Sequence, residues 1–355
     1  MREGLNRCGW YPHSEEELAV DWAMSGEDAN GEPARNESLV SFDPDASYEW
    51  WGPDDRFVID QHPRGFARLI DGMVRDSVPS GDRRVLFEAE VTKIKYGCRG
   101  VGVTTKDGRM FTAAHQVIST LPLGVMRHHH AQLFDPPLPK EQAALLSPEG
   151  RFVMGNLTHV VVQFPRVWWD DKLPKWLASN RGSNETAAGG PDGGGRNAAG
   201  EFAVWHNLNH PNYLPGSQTL LTFLGDPQSS VYEAMPDEEV KAALIRRLRL
   251  QHPRAEIPSP TAFFISRHGF DANSFGAYSI SLAGWDSALH HTLSRPLKSC
   301  NQTRIRFAGE AMCSNLNGYT HGAYQSGKEN AARYLHEQAK GPDPAQDDAL
   351  SLCDR

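Results

Sequence analysis

No apolar run in this chain approaches the roughly 18 residues that a membrane span requires, so no transmembrane helix is expected. Cysteine is scarce. Cys8, Cys98, Cys300, Cys313 and Cys353 are scattered without a CxxC, which gives no expectation of a disulfide framework or a zinc site. The opening MREGLNRCGWYPHSEEE has no apolar stretch of the signal-peptide kind, so a soluble protein is expected, with the cytoplasm favoured. Positive charge is in deficit, 36 Lys and Arg against 44 Asp and Glu, a formal net charge of −8. That argues against a nucleic-acid binder and mildly suits a cationic small substrate. The run His128-His129-His130 would suit a metal, but no carboxylate or cysteine stands at ligand spacing, and a solvated loop is expected there. Asn36, Asn156, Asn184 and Asn301 each head an N-x-S/T sequon, a pattern common enough by chance to point only faintly to secretion.

What is present suits a globular protein. The 355 residues, 39% hydrophobic and 23% charged, exceed one simple core and predict two domains or one large α/β assembly. Ser14 and the acids after it predict a helix over 14–22, and RFVIDQHPRGFARLIDGMV predicts a strand at Phe57–Ile59 and a helix from about Phe66. Residues 84–120 alternate like strands, with a hairpin at Lys106-Asp107-Gly108. HVVVQFPRVWW and QTLLTFLGD predict buried strands, and PDEEVKAALIRRLRLQ an amphipathic helix with an acidic start and a basic end. Residues 179–200 are a low-complexity loop, and the polar segment 338–355 is expected to be a disordered tail.

The stretch RFAGEAMCSNLNGYTHGAYQSG, from Arg306 to Gly327, predicts a strand, a Gly309-Glu310 corner, a loop, and a helix beginning near Thr320. Gly322, Ala323, Ser326, Gly327 and Ala331 would leave one helix face nearly smooth, so that a backbone or a flat ligand can approach closely. The first N–H groups of that helix suit an anion, Glu310 could accept ribose or ribityl hydroxyls, and Tyr319 could supply a flat wall. One end of a bulky cofactor site and an ordinary close-packed strand-loop-helix both fit these features.

From about Leu18 to Tyr334 the motifs together resemble the flavin-dependent amine oxidases, and within them the polyamine oxidases. AGEAMCSNLNGYTHGAYQSG is similar to the family's C-terminal flavin motif, VISTLPLGVM to its strand ending in a P-L-G turn, FGAYSIS to its G-S-Y-S segment, and VVVQFPRVWWD and DQHPRGFARLIDGM to two further segments. The resemblance implies a mixed α/β, two-domain FAD-linked fold. A substrate domain would comprise about 1–77 and 131–295, and an FAD domain about 78–130 and 296–337. It implies oxidation of a carbon–nitrogen bond in an amine of the spermine or spermidine type, with O2 as acceptor, giving an aldehyde, an amine and hydrogen peroxide. By the same resemblance Gly309, Glu310, Thr320, Val91, Pro122, Tyr319 and His268 would border FAD, with Val91 at the adenine and the Thr320 N–H at the flavin ring. His159, Tyr319 and Tyr278 would line the catalytic side.

The sequence departs from the family in places. No strand–GxGxxG–helix unit is present, since GGPDGGG at 189–195 lies in a low-complexity loop, so an N-terminally truncated chain lacking that Rossmann unit is expected. His159 stands where the family usually has a lysine that holds a water, and His268 where it commonly has a tryptophan, while Arg267 and Asp271 are kept. A working oxidase and a catalytically impaired relative serving as a binding or structural module both remain open. Glu27, Asp28 and Glu32 occupy a segment where polyamine oxidases often place a carboxylate, although solvated loop acids fit better. A histone demethylase relative would need a long helical hairpin and a basic surface run, neither of which the sequence has.

Overall fold

The computed structural model describes residues 64–78, 82–177, 201–286, 288–338 and Cys353. The helix expected at 14–22, the strand at Phe57–Ile59, the acids at 27–32 and the loop at 179–200 lie outside them. The fold is mixed α/β, and its described part is built on two hydrophobic cores.

Helix α1 (Ala67–Ser77) comes first. The first core then forms around β1 (Val91–Gly97), β2 (Gly100–Thr105), β3 (Met110–Ala113) and β4 (Val117–Ser119). Alternation in VTKIKYG buries Ile94 and Tyr96 and leaves Lys93 and Lys95 in water, as a half-buried strand requires. Helix α2 (Leu123–Leu133) and β5 (Phe134–Asp135) follow, and the sheet order is β3-β2-β1-β5. Helix α3 (Lys140–Leu145) leads to β6 (Phe152–Gly155).

The second core belongs to β7 (Leu157–Gln163), β8 (Lys175–Leu177), β9 (Val204–Asn207), β10 (Thr219–Gly225) and β11 (Ala262–Ile265), ordered β11-β7-β10-β9-β8. Helices α4 (Gln228–Glu233) and α5 (Asp237–Gln251) lie between β10 and β11 in the chain. Val240, Ala243, Leu244 and Leu248 form the buried stripe of α5, while Asp237, Glu238 and Glu239 sit at its positive end. They meet Val160, Val162, Leu220 and Leu224 from the sheet. Each such side chain contributes about 1.5–3 kcal/mol by leaving water.

Strand β12 (Tyr278–Ser281) pairs with β6, and helix α6 (Ala288–Leu293) leads into the hairpin of β13 (Leu297–Ser299) and β14 (Gln302–Phe307). Strand β14 pairs in parallel with β4 and ends where the Gly309-Glu310 corner begins. The long helix α7 (Thr320–Glu337) closes the order. Arg304, 2% exposed, donates to the carbonyls of Ala114, His115 and Cys98, so its buried charge ties β14 to the β1–β3 sheet.

Three expectations need correction. The cysteines form two disulfides, Cys98–Cys300 and Cys313–Cys353, because folding brings together residues 202 and 40 positions apart that no local spacing connects. Cys353, within the segment expected to be a tail, is buried against α7 and donates its N–H to Glu329 at 2.9 Å. His128, His129 and His130 lie in α2 rather than a solvated loop. Pro122 starts that helix with its fixed φ, and the His128 ring stacks on Phe275 at 4.1 Å.

The first core predicts an acid-sensitive fold. His290 is 3% exposed and accepts the Trp285 indole N–H at Nδ1, and burial, then the neighbouring His291, push its pKa from 6.5 to about 4. The unfolded chain therefore takes up a proton that the folded chain refuses. Stability is intact above pH 6.5 and falls as pH drops toward about 4, by about 3 kcal/mol at about 1.4 kcal/mol per pH unit. Denaturant unfolding of the wild type and His290→Gln across that range should show the acid-dependent loss shrinking in the variant.

Candidate active site

The Gly309 corner exists because β14 must stop and turn. Gly309 has φ 144°, a left-handed value that suits glycine, and open space lies where its Cβ would be. Its N–H reaches the Ser326 hydroxyl of α7 at 3.3 Å. The Glu310 carboxylate accepts the Ser279 hydroxyl and the Gly318 N–H, each at 2.5 Å, and the Ser279 N–H at 3.3 Å. A carboxylate offers about four acceptor positions, so capacity for one more hydroxyl remains. Gly318, at φ 80°, allows the loop to pass Tyr278, whose ring lies 3.5 Å from the Cβ position. Tyr319 follows as N-cap of α7, about half exposed, its ring stacked on His321 at 5.1 Å. Thr320 begins the helix and is exposed. At Gly322 a Cβ would sit 2.0 Å from the Leu316 carbonyl oxygen, so the loop rests directly on the helix backbone.

The corner fits one end of a flavin: a carboxylate with acceptor capacity, an open glycine cradle, two tyrosines and an exposed helix start lie together. A cavity of about 330 Å³ runs beside it along α7, lined in part by Arg295, Phe307, Met312, Ser326 and Asn330. Val91 packs against the same core as Phe307 and Ala311, and Pro122 caps α2, exposed.

His159 belongs to the second sheet. Alternation in β7 turns Thr158, Val160 and Val162 into the core and puts Leu157, His159 and Val161 on the other face. Register sets Phe223 directly across from His159. Four rings follow in series: His206 lies 5.2 Å from Phe223, Phe223 4.9 Å from His159, and His159 6.2 Å from His268. Burial first, then the charge of His268, hold the His159 pKa below its usual 6.5, so His159 is neutral at pH 7.

Backbone contacts join the two groups. The turn 268–276 carries His268, and Gly276 donates its N–H to the His268 carbonyl at 2.8 Å. This turn sits on the start of α2, where a Cβ on Gly124 would be 2.0 Å from the Ser274 carbonyl oxygen. It then runs directly into Tyr278 and Ser279, the segment that holds Glu310. Pro122, His268, Tyr278, Glu310 and Tyr319 therefore lie along one continuous frame.

Sequence reasoning missed Glu233. It is 2% exposed, accepts the Thr158 hydroxyl at 2.7 Å and the Gly269 N–H at 2.8 Å, and so clamps the neighbours of both site histidines. Arg267 reinforces the clamp by donating to the carbonyls of Glu233 and Met235. Nothing local distinguishes Glu233 from the solvated acids of α5 a few residues later.

A sequence profile described as flavin containing amine oxidoreductase matches residues 21–335. Polyamine oxidase 1 of Zea mays is 27% identical over 84% of this chain and 56% of its own length. Lysine-specific histone demethylase 1 homolog 2 of Arabidopsis thaliana is also 27% identical, over 91% of this chain and 39% of its own. A putrescine oxidase double mutant superposes with a TM-score of 0.63 at 18% identity, covering 93% of this chain and 66% of that one, which supports the fold. The chain thus spans 56% to 62% of the length of three plant polyamine oxidases it matches. With the profile covering most of its residues, the chain belongs to the flavin-containing amine oxidoreductase family, whose cofactor is FAD.

Proposed function

We propose that this chain is the major part of an FAD-dependent amine oxidase of the polyamine oxidase type. It would oxidise a carbon–nitrogen bond of a spermine- or spermidine-like amine with O2, giving an aldehyde, an amine and hydrogen peroxide. The convergence of Gly309, Glu310, Tyr278, Tyr319 and Thr320 around Gly318 carries this reading. The sequence division into a substrate domain (1–77, 131–295) and an FAD domain (78–130, 296–337) belongs to the same proposal.

FAD, when bound, supplies the hydride acceptor and passes the electrons to O2. Glu310 holds the cofactor's ribityl or diphosphate region through its remaining acceptor capacity. The Thr320 N–H, at the positive end of α7, favours negative charge on the adjacent ring system. Tyr278 and Tyr319 provide aromatic walls that hold an aliphatic amine by apolar contact and cation–π attraction. His159, neutral at pH 7, holds a water or accepts a proton where the family carries an ammonium. His159 and His268 also favour a second reading, a flavin-binding relative without turnover, because neither is the family's usual residue. Amine-dependent peroxide release separates the two: its absence from a flavin-loaded chain overturns the oxidase reading.

Three outcomes are expected. First, oxidised-flavin absorbance should stay with the purified protein after desalting, and Glu310→Gln should weaken flavin affinity about tenfold or more, the cost of one charge-assisted hydrogen bond. Second, His159→Ala should lower kcat about 10²-fold. The acid limb of kcat/KM should lie below pH 6.5, since burial depresses the His159 pKa, and should vanish in His159→Lys. Third, Gly124→Ala should push the 268–276 turn aside and lower kcat about tenfold or more with little change in flavin content, measured by peroxide release per bound flavin.

A further inference from the structure

We propose that Asn301 carries an asparagine-linked oligosaccharide and that this chain matures in an oxidising, secretory compartment. Of the four sequons, those at Asn36 and Asn184 lie outside the described residues. Asn156 cannot bear a sugar: it is 7% exposed, donates its amide to Ser230, and its Nδ2 lies 2.7 Å from where a Cβ on Gly269 would be. Asn301 is the opposite case. It is exposed at the tip of the β13–β14 hairpin, in a two-residue turn where Cys300 and Asn301 have φ of 52° and 57°. Such turns need left-handed residues and lift their tip away from the sheet. Thr303 completes the sequon one residue into β14.

The same turn carries independent evidence of the compartment. Cys300 is bridged to Cys98 in the β1–β2 turn, and both residues are exposed. The glutathione pool of a cytosol keeps accessible thiols reduced, whereas the secretory route preserves their disulfides. The second bridge joins Cys313, between the Glu310 corner and α7, to Cys353. Disulfides and sequon thus point to the same oxidising, secretory compartment.

The chemistry balances. A lipid diphosphate-linked oligosaccharide is the donor. The Asn301 amide nitrogen bonds to the anomeric carbon, the carbon–oxygen bond to the diphosphate breaks, the amide loses one proton, and the lipid diphosphate leaves. Each disulfide forms by exchange with a disulfide-bearing oxidoreductase, which takes up two electrons and two protons from the two thiols.

The test is non-reducing peptide mapping by mass spectrometry of the full-length protein isolated from its own cells. The Asn301 peptide should carry hexose-bearing mass, which peptide N-glycosidase removes while converting Asn301 to Asp. The Asn156 peptide should be unmodified, and Cys98 and Cys300 should appear as one linked peptide. In a eukaryotic secretory host, Asn301→Gln and Thr303→Ala should each lose one glycan-sized step in gel mobility, whereas Thr303→Ser should keep it. A bare Asn301 in the native material, or Cys98 and Cys300 alkylated without prior reduction, overturns the proposal.

Discussion

The Glu310 carboxylate is the joint on which the candidate site depends. It gathers a hydroxyl and two backbone N–H groups from Ser279 and Gly318, binding strand β12 to a corner 31 residues further along. Hydrogen bonds to a charged acceptor are worth about 1.5–3 kcal/mol each, and a partly buried carboxylate left without them would be costly. Because the bonds come from both sides, they fix Tyr278 relative to Tyr319 and hold Gly318 in its left-handed turn. Remove the carboxylate and the two tyrosines lose their common reference. The residue proposed to accept a cofactor hydroxyl therefore also sets the positions of the two tyrosines beside it.

The readable parts of the sequence were those governed by local rules. The strand Gln302–Phe307, the glycine corner and the helix from Thr320 follow from short-range periodicity and from glycine's freedom, and each appears where the sequence put it. The hairpin at Asp107-Gly108 and the stripe of the 237–251 helix follow the same logic. The misread parts depend on distance along the chain. Cys98 finds Cys300 across 202 residues, and Glu233 finds Thr158 across 75. No local pattern encodes either meeting. The triple histidine escapes local reading because a proline after a strand suits a strand's end and equally begins a helix, as Pro122 does here.

The ring series His206–Phe223–His159–His268 gives the second wall an electrostatic character of its own. Two imidazolium charges 6.2 Å apart would repel by about 3 kcal/mol at an effective dielectric of about 20. At His159 burial is the larger influence and the neighbouring His268 the smaller, and both act in the same direction. Together these hold the His159 imidazole below its usual range and so neutral at pH 7. Under the proposed function, such an aromatic wall would repel an approaching amine cation less than a fixed ammonium would.

Frame and wall obey different constraints. The frame is set where chain segments meet with no room for a Cβ: Gly124 under the Ser274 carbonyl, Gly276 against the Met154 side chain, and Gly322 under the Leu316 carbonyl. Glu233 and Arg267 then fasten the His268 turn from behind through buried hydrogen bonds. None of these contacts involves the imidazole of His159 or His268. A side chain at either position can therefore differ from a lysine or a tryptophan while the path from Pro122 through Tyr278 to Thr320 stays where it is. Side chains on the second wall can change one at a time, whereas a single methyl group at Gly124 or Gly322 would displace the turn or loop packed on it.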